Sequence, residues 1–220
     1  MIIDPHVHIG HDTTWDSNRN EEEVMRVMNE VGITAAIVQP AQFVTFDEYK
    51  VSHNRIYDFH LKYPKRIFGM FSLNPHFDIK KYKEEAERCV KELGFVAMKL
   101  TSLTHILAPN VKRAVLPFET ARELNVPLMI HQGHGMPWTL ISTYYNLIKE
   151  YSDVTIVLAH SGTMDTEDED IIMAKECPNI YIELSVRTPN IHNIIKFANE
   201  VGSERMMYAS DSPDEMAHVV

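Results

Sequence analysis

Two histidines at the start of the chain, His6 and His8 in Asp4-Pro5-His6-Val7-His8, have the spacing most suited to chemistry. In an extended strand, side chains two apart point to the same face, so both imidazoles converge on one point. Two neutral imidazoles are a common ligand pair for a divalent transition metal. The competing reading is a pair of surface histidines. Further polar residues stand at the ends of later apolar runs: Lys99, His131, His160 and Asp211. One strand-end histidine is commonly a hydrogen-bonded structural residue. A His-x-His pair, two more histidines and an aspartate at matching ends are hard to explain that way, because a packed core has no use for so many titratable groups in one layer.

Strands and helices must alternate to bring these groups together. Apolar runs read as buried strands at residues 2–9, 34–38, 67–73, 95–100, 127–130, 154–159, 180–184 and 206–209. Between them, helices are predicted over 21–31, 46–63, 79–93, 117–124, 137–151, 168–177 and 190–201. The first has an Asn20 cap, an acidic first turn at Glu21 to Glu23 and a stop at Gly32. Residues 10–20 and 101–109 read as loops. Strands written as continuous Val/Ile/Leu/Met runs imply a parallel sheet covered on both faces. Eight such repeats imply an α/β fold of the (β/α)8 TIM-barrel type, built as a single domain over 1–220, with active-site residues at the C-terminal ends of the strands. A doubly wound open sheet is the alternative, but no Gly-rich phosphate loop follows the first strand. Only residues 212–220 follow the eighth strand, so the C-terminal helix is expected to be abbreviated. Apolar surface left uncovered there would favour a homo-oligomer.

Composition narrows the functional classes. The net charge of -10 argues against nucleic acid, whose phosphates require clustered Lys and Arg. No apolar run is long enough to cross a membrane, and with the first strand read from residue 2 no signal peptide is expected. Cys89 and Cys177 form neither a disulfide framework nor a Cys-x-x-Cys metal motif, which points to a cytoplasmic protein. The expected partner is a small-molecule substrate.

Asp4-Pro5-His6-Val7-His8, Phe68-Gly69-Met70-Phe71-Ser72-Leu73-Asn74-Pro75, Pro127-Leu128-Met129-Ile130-His131, Val157-Leu158-Ala159-His160-Ser161-Gly162 and Tyr208-Ala209-Ser210-Asp211-Ser212-Pro213 form an ordered set. With it the chain resembles, over essentially its whole length, the amidohydrolase superfamily and its amidohydrolase-related (amidohydrolase 2) family. The resemblance implies one divalent metal ion, zinc first with manganese, iron or cobalt as alternatives, held by His6, His8, His131 and Asp211. It places His160 beside the metal and its water. It also raises a second role for Lys99, as a carboxylated bridge between two metals, beside those of substrate-carboxylate anchor and structural lysine. His134, His105 and Arg187 lie in loops on the active-site side and are candidate substrate-binding residues. Glu183 reads as a paired core carboxylate.

The leading functional expectation is a metal-dependent hydrolase acting on an amide, ester or lactone, with Asp211 accepting a proton from water and His160 orienting the nucleophile or stabilising the oxyanion. A metal-dependent non-oxidative decarboxylase is the alternative that the same family suggests. A metal-free lactonase and a non-catalytic binding barrel follow. A nuclease of the TatD type is disfavoured by the acidic charge.

Overall fold

The computed structural model describes residues 1–14, 16–133, 136–163, 166–185 and 191–211. The chain groups into two compact units, Met1–Ala97 with Tyr208–Val220, and Met98–Met207. The expected abbreviated helix after Asp211 lies outside the described residues, as do His134 and Arg187. Among the described residues no helix is long and apolar enough to cross a membrane.

In the first unit, β1 (Ile3–Asp12) is flanked by β2 (Ser17–Arg19) and β3 (Ala35–Pro40), and β3 pairs with β4 (Ile67–Ser72). The β1–β3 and β3–β4 ladders are parallel, with His8 opposite Gln39 and a register shift between Asp4 and Val7. The β1–β2 ladder is antiparallel, pairing Gly10 with Arg19 and Asp12 with Ser17. Residues 10–20, expected to be a loop, are therefore partly a hairpin. Helix α1 (Glu21–Val31) starts where the Asn20 side chain accepts the Glu23 N–H and stops at Gly32, whose φ of 78° satisfies the left-handed cap. Helix α2 (Phe46–Lys62) opens with a capping box between Thr45 and Glu48. Helix α3 (Ile79–Lys91) is capped by Asp78 and buries Tyr82, Glu85, Ala86 and Cys89. Gly69 in β4 is required by close approach: a Cβ there would lie 2.3 Å from the Phe95 ring.

The second unit carries β5 (Ala97–Leu100) from its second residue on, α4 (Ser102–His105), α5 (Val115–Leu124), β6 (Leu128–His131), α6 (Tyr145–Glu150), β7 (Ile156–Ala159), α7 (Glu167–Glu176), β8 (Ile180–Glu183), α8 (Ile191–Glu200) and β9 (Met206–Met207). Its strands are parallel in the order β5 to β9, and every residue of β5, β6 and β7 is buried. The helix expected over 137–151 is instead two 3-10 turns, Pro137–Thr139 and Ile141–Tyr144, followed by α6. The Thr139 hydroxyl bonds the Met136 carbonyl and the Thr143 hydroxyl the Leu140 carbonyl, three residues back in each case. Such back-bonding competes with helical hydrogen bonds and explains the tighter turns.

Candidate active site

In the first unit, β1 presents His6 and His8 on one face, as the period of two requires, and Asp211 meets them. The His6 and His8 Nε2 atoms lie 2.7 and 3.3 Å from Asp211 Oδ1. Candidate ligand atoms of the three residues all fall within 4.8 Å of one another. Both histidines are buried. Asp4 ties this set together from behind, its Oδ1 accepting the backbone N–H groups of His6 (3.1 Å) and Ser210 (3.2 Å). Burial pushes the Asp4 carboxyl up to about 6, against the opposing pull of the Ser210 side chain and those backbone N–H groups.

The tautomer of His8 is decided by its surroundings. Its Nδ1 lies 2.9 Å from the Pro40 carbonyl, which can only accept, so Nδ1 carries the proton. Burial lowers the His8 pKa, outweighing the neighbouring Asp211 carboxylate, and keeps the ring neutral. Its Nε2 lone pair therefore faces a carboxylate oxygen that is itself only an acceptor. Two lone pairs aimed at each other suit a cation between them. A ring nitrogen held by a backbone carbonyl on its other side is also the usual support for a metal-bound imidazole. Two imidazoles and a carboxylate fit zinc, manganese, iron or cobalt. Gln39, at the end of β3, brings its amide Nε2 to 3.1 Å from His8 Nε2, while its buried Oε1 has no hydrogen-bond partner among the described residues.

In the second unit, β6 and β7 end in His131 and His160. The His160 Nε2 is 3.2 Å from His131 Nδ1, and the His160 Nδ1 is 2.8 Å from Ser185 Oγ. A ligand role for His131 therefore falls to its Nε2. Glu183 at the end of β8 fixes His160 twice over: its Oε2 accepts the His160 backbone N–H (2.7 Å) and the Ser185 hydroxyl (3.0 Å). His160 and Asp211 have left-handed backbones, φ 64° and 68°, which are uncommon for non-glycine residues and concentrate at functional sites. Behind the pair, Asp170 Oδ2 accepts the Gly162 N–H (2.7 Å) and the Gln132 amide (3.1 Å), linking the segments after β6 and β7. Burial raises the Asp170 pKa to about 7.

The structure thus brings together His6, His8 and Asp211 in one unit and His131 and His160 in the other. Lys99 and His105 are buried in the second unit, at the ends of β5 and α4. Gln39, Asp4 and Ser185 were not singled out from sequence. Asp4 carried a legible signal, since it precedes His6 by two and shares its face. A cleft of about 370 Å³ in the first unit, lined by Gly10, Phe43, Val51 and Arg55 among others, contains none of the candidate ligands.

A family model described as amidohydrolase matches residues 3–216. The chain belongs to the amidohydrolase family. No curated protein matches it. The family member is similar in structure to a 2,6-dihydroxybenzoate decarboxylase complexed with 2,6-dihydroxybenzoate (17% identity, TM-score 0.80, covering 100% of this chain and 90% of that one). It is also similar to a dihydroxybenzoic acid decarboxylase from Polaromonas sp. JS666 with bound manganese and the inhibitor 2-nitroresorcinol (18%, 0.74, 99% and 88%). A TIM-barrel protein from Bordetella bronchiseptica gives 15% identity and a TM-score of 0.77 over 99% and 88% of the two chains. These likenesses give the fold class, the α/β TIM barrel expected from the strand–helix alternation.

Proposed function

We propose that this amidohydrolase-family protein is a metal-dependent, non-oxidative decarboxylase of a small organic carboxylic acid, with hydroxybenzoates as the first substrate class to test. The observation that carries the metal is the His8 Nε2 lone pair set against the Asp211 carboxylate, with His6 Nε2 on the same oxygen. The two decarboxylases of like fold, one of them holding manganese, support the reaction class. They reverse the order expected from sequence, in which hydrolysis came first.

The overall change is R–COO⁻ + H⁺ → R–H + CO2: the C–C bond breaks, its electron pair stays on the carbon, and a proton takes the place of the carboxylate. His6, His8 and Asp211 would hold a divalent ion, which would supply Lewis-acid chemistry at substrate oxygens. His160 is the residue assigned to move the proton. Its Nδ1 is anchored on Ser185 Oγ, so transfer runs through Nε2, the atom facing His131. Glu183 keeps that ring in place, by holding both the His160 backbone and the Ser185 hydroxyl. Hydrolysis is the second reading, favoured by a carboxylate, Asp211, placed beside both histidines where it could take a proton from water.

The test is product analysis of the manganese- or zinc-loaded protein with 2,6-dihydroxybenzoate in D2O. Released carbon dioxide with deuterium at the vacated carbon supports decarboxylation. No carbon dioxide from a panel of hydroxybenzoates, together with cleavage of an amide or lactone, overturns it in favour of hydrolysis.

A further inference from the structure

Seven of the eight arginines in the described residues have partners. Arg26 pairs with Glu30, Arg55 with Glu21, Arg88 with Glu85 and Arg122 with Asp153, while Arg66 and Arg205 bond backbone carbonyls. Arg113 also has a partner. Arg19 is the exception: beyond the backbone pairing of its strand, no side-chain hydrogen bond or ion pair reaches it among the described residues, and its Nε is shut off from solvent. Arg19 is half-buried, and the cost falls on its Nε, a donor that ordinarily finds an acceptor when cut off from water. The missing partner is also odd in a chain with 31 acidic residues against 21 basic ones.

The position of Arg19 supplies the reason. It is the last residue of β2, directly opposite Gly10 on β1. Cross-strand partners share a face of the sheet, and Gly10 lies on the face of His6 and His8 by the period of two. His8 is then the diagonal neighbour of Arg19, about 7–8 Å away backbone to backbone, within reach of a long side chain. The Arg19 charge is among those that disfavour protonation of His8. The β1–β2 hairpin thus sets an uncommitted, planar, two-pronged donor beside the candidate metal ligands.

We infer that Arg19 is the anchor for a carboxylate group of the substrate, gripping it with paired N–H donors while the rest of the molecule extends toward His8. This rests on the reading of His6, His8 and Asp211 as a catalytic metal set, and it names the residue that selects the carboxylate of the substrate. A guanidinium matches a carboxylate bidentately, which lysine cannot do.

The full-length, manganese-loaded protein and its Arg19→Gln and Arg19→Lys variants are titrated with 2,6-dihydroxybenzoate and with the uncharged 2,6-dihydroxybenzamide. Wild type is expected to prefer the carboxylate by about 10- to 100-fold. Arg19→Gln should erase that preference and leave amide binding unchanged; Arg19→Lys should restore part of it. Because the Arg19 side chain makes no hydrogen bond or ion pair among the described residues, and its backbone pairing with Gly10 survives either substitution, melting temperature and metal content should match wild type in both variants. The inference is overturned if wild type shows no preference for the carboxylate, or if Arg19→Gln retains it. The outcome is separable from that of the decarboxylase reading. Bound metal and released carbon dioxide without a role for Arg19 would sink the anchor alone. An Arg19-dependent carboxylate preference without turnover would sink the reaction and keep the anchor.

Discussion

The first unit holds two clusters made of the same ingredients. One is His6, His8 and Asp211; the other is His53, Glu85 and Cys89, whose ligand-type atoms also fall within 4.8 Å of one another. Proximity alone would make both of them metal sites. In the second cluster, however, each lone pair meets a donor. His53 Nδ1 lies 2.9 Å from Glu85 Oε1, and His53 Nε2 accepts the Ser72 backbone N–H at 3.4 Å. Both Glu85 oxygens also receive Arg88, at 2.7 and 2.9 Å. A cation there would have to displace a guanidinium already in place. In the first cluster no guanidinium or ammonium is in place: His6 and His8 Nε2 converge on one Asp211 oxygen at 2.7 and 3.3 Å, and the neutral Gln39 amide is the group beside His8 Nε2. A carboxylate gripped by a guanidinium already has its cation, whereas two imidazole nitrogens converging on one carboxylate oxygen form a ligand set for a divalent ion.

The comparison breaks if metal goes to the wrong cluster. The His6→Ala/His8→Ala double variant should lose its metal, from about one equivalent to none by elemental analysis. Turnover should fall by more than the roughly 10–100-fold that follows loss of an outer-shell partner. His53→Ala should keep its metal. The stability effects should run the other way. Glu85→Ala leaves a buried imidazole N–H and a guanidinium without their acceptor, and should cost about 3 kcal/mol or more in denaturant unfolding. Asp211→Asn, at a left-handed position that asparagine tolerates, should melt like the metal-free wild type and lose only the rise in melting temperature that metal confers.

The sequence made the first cluster legible and left the second one hidden, for a physical reason. His6 and His8 are joined by local periodicity on one strand, and strand ends gather at one face of a barrel. His53 and Glu85 belong to two helices, α2 and α3, and only packing brings them into contact. The ends of α1 were equally legible, because Asn20, Glu21 to Glu23 and Gly32 act within a turn or two of themselves. The β2 hairpin was not. Ser17-Asn18-Arg19 has no apolar alternation and becomes a strand by pairing with β1, so Arg19 passed for a loop residue. Residues 137–151 misled in the opposite direction, since Pro137 and the apolar residues behind it suggest a helix, while the Thr139 and Thr143 hydroxyls compete for its carbonyls.

Acid titration sharpens the contrast. Burial alone would push the Glu85 carboxyl up, but hydrogen bonds from His53 and Arg88 outweigh it and hold the pKa near 2. A carboxylate depressed in the folded state contributes stability that is full above its ordinary range and is lost as the pH falls toward 2. Burial lowers the His53 pKa as well, so its contribution is also lost on the acid side, as the unfolded chain gains a proton that the folded one refuses. Wild type should therefore lose stability steadily below about pH 6. Glu85→Gln should show a shallower slope below about pH 4.5 by urea unfolding at a series of pH values. An unchanged slope would mean that the second cluster is not the acid-labile core.

The smallest effect tests the second cluster at its weakest member. Cys89 Sγ approaches Glu85 Oε1 at 3.6 Å, a weak contact for a thiol donor, and Glu85 already has two stronger ones. Burial, the leading cause, raises the Cys89 pKa well above its ordinary value, so no thiolate is available as a metal ligand or nucleophile. Cys89→Ala should then cost only about 1 kcal/mol, the loss of one buried atom's packing and a weak hydrogen bond. Metal content should not change, and iodoacetamide should leave the thiol of the folded wild-type protein untouched. If Cys89→Ala removed the equivalent of metal while His6→Ala/His8→Ala retained it, the roles of the two clusters would have to be exchanged. The rule that separated them, a carboxylate held by a guanidinium against one shared by two imidazoles, would fail with them.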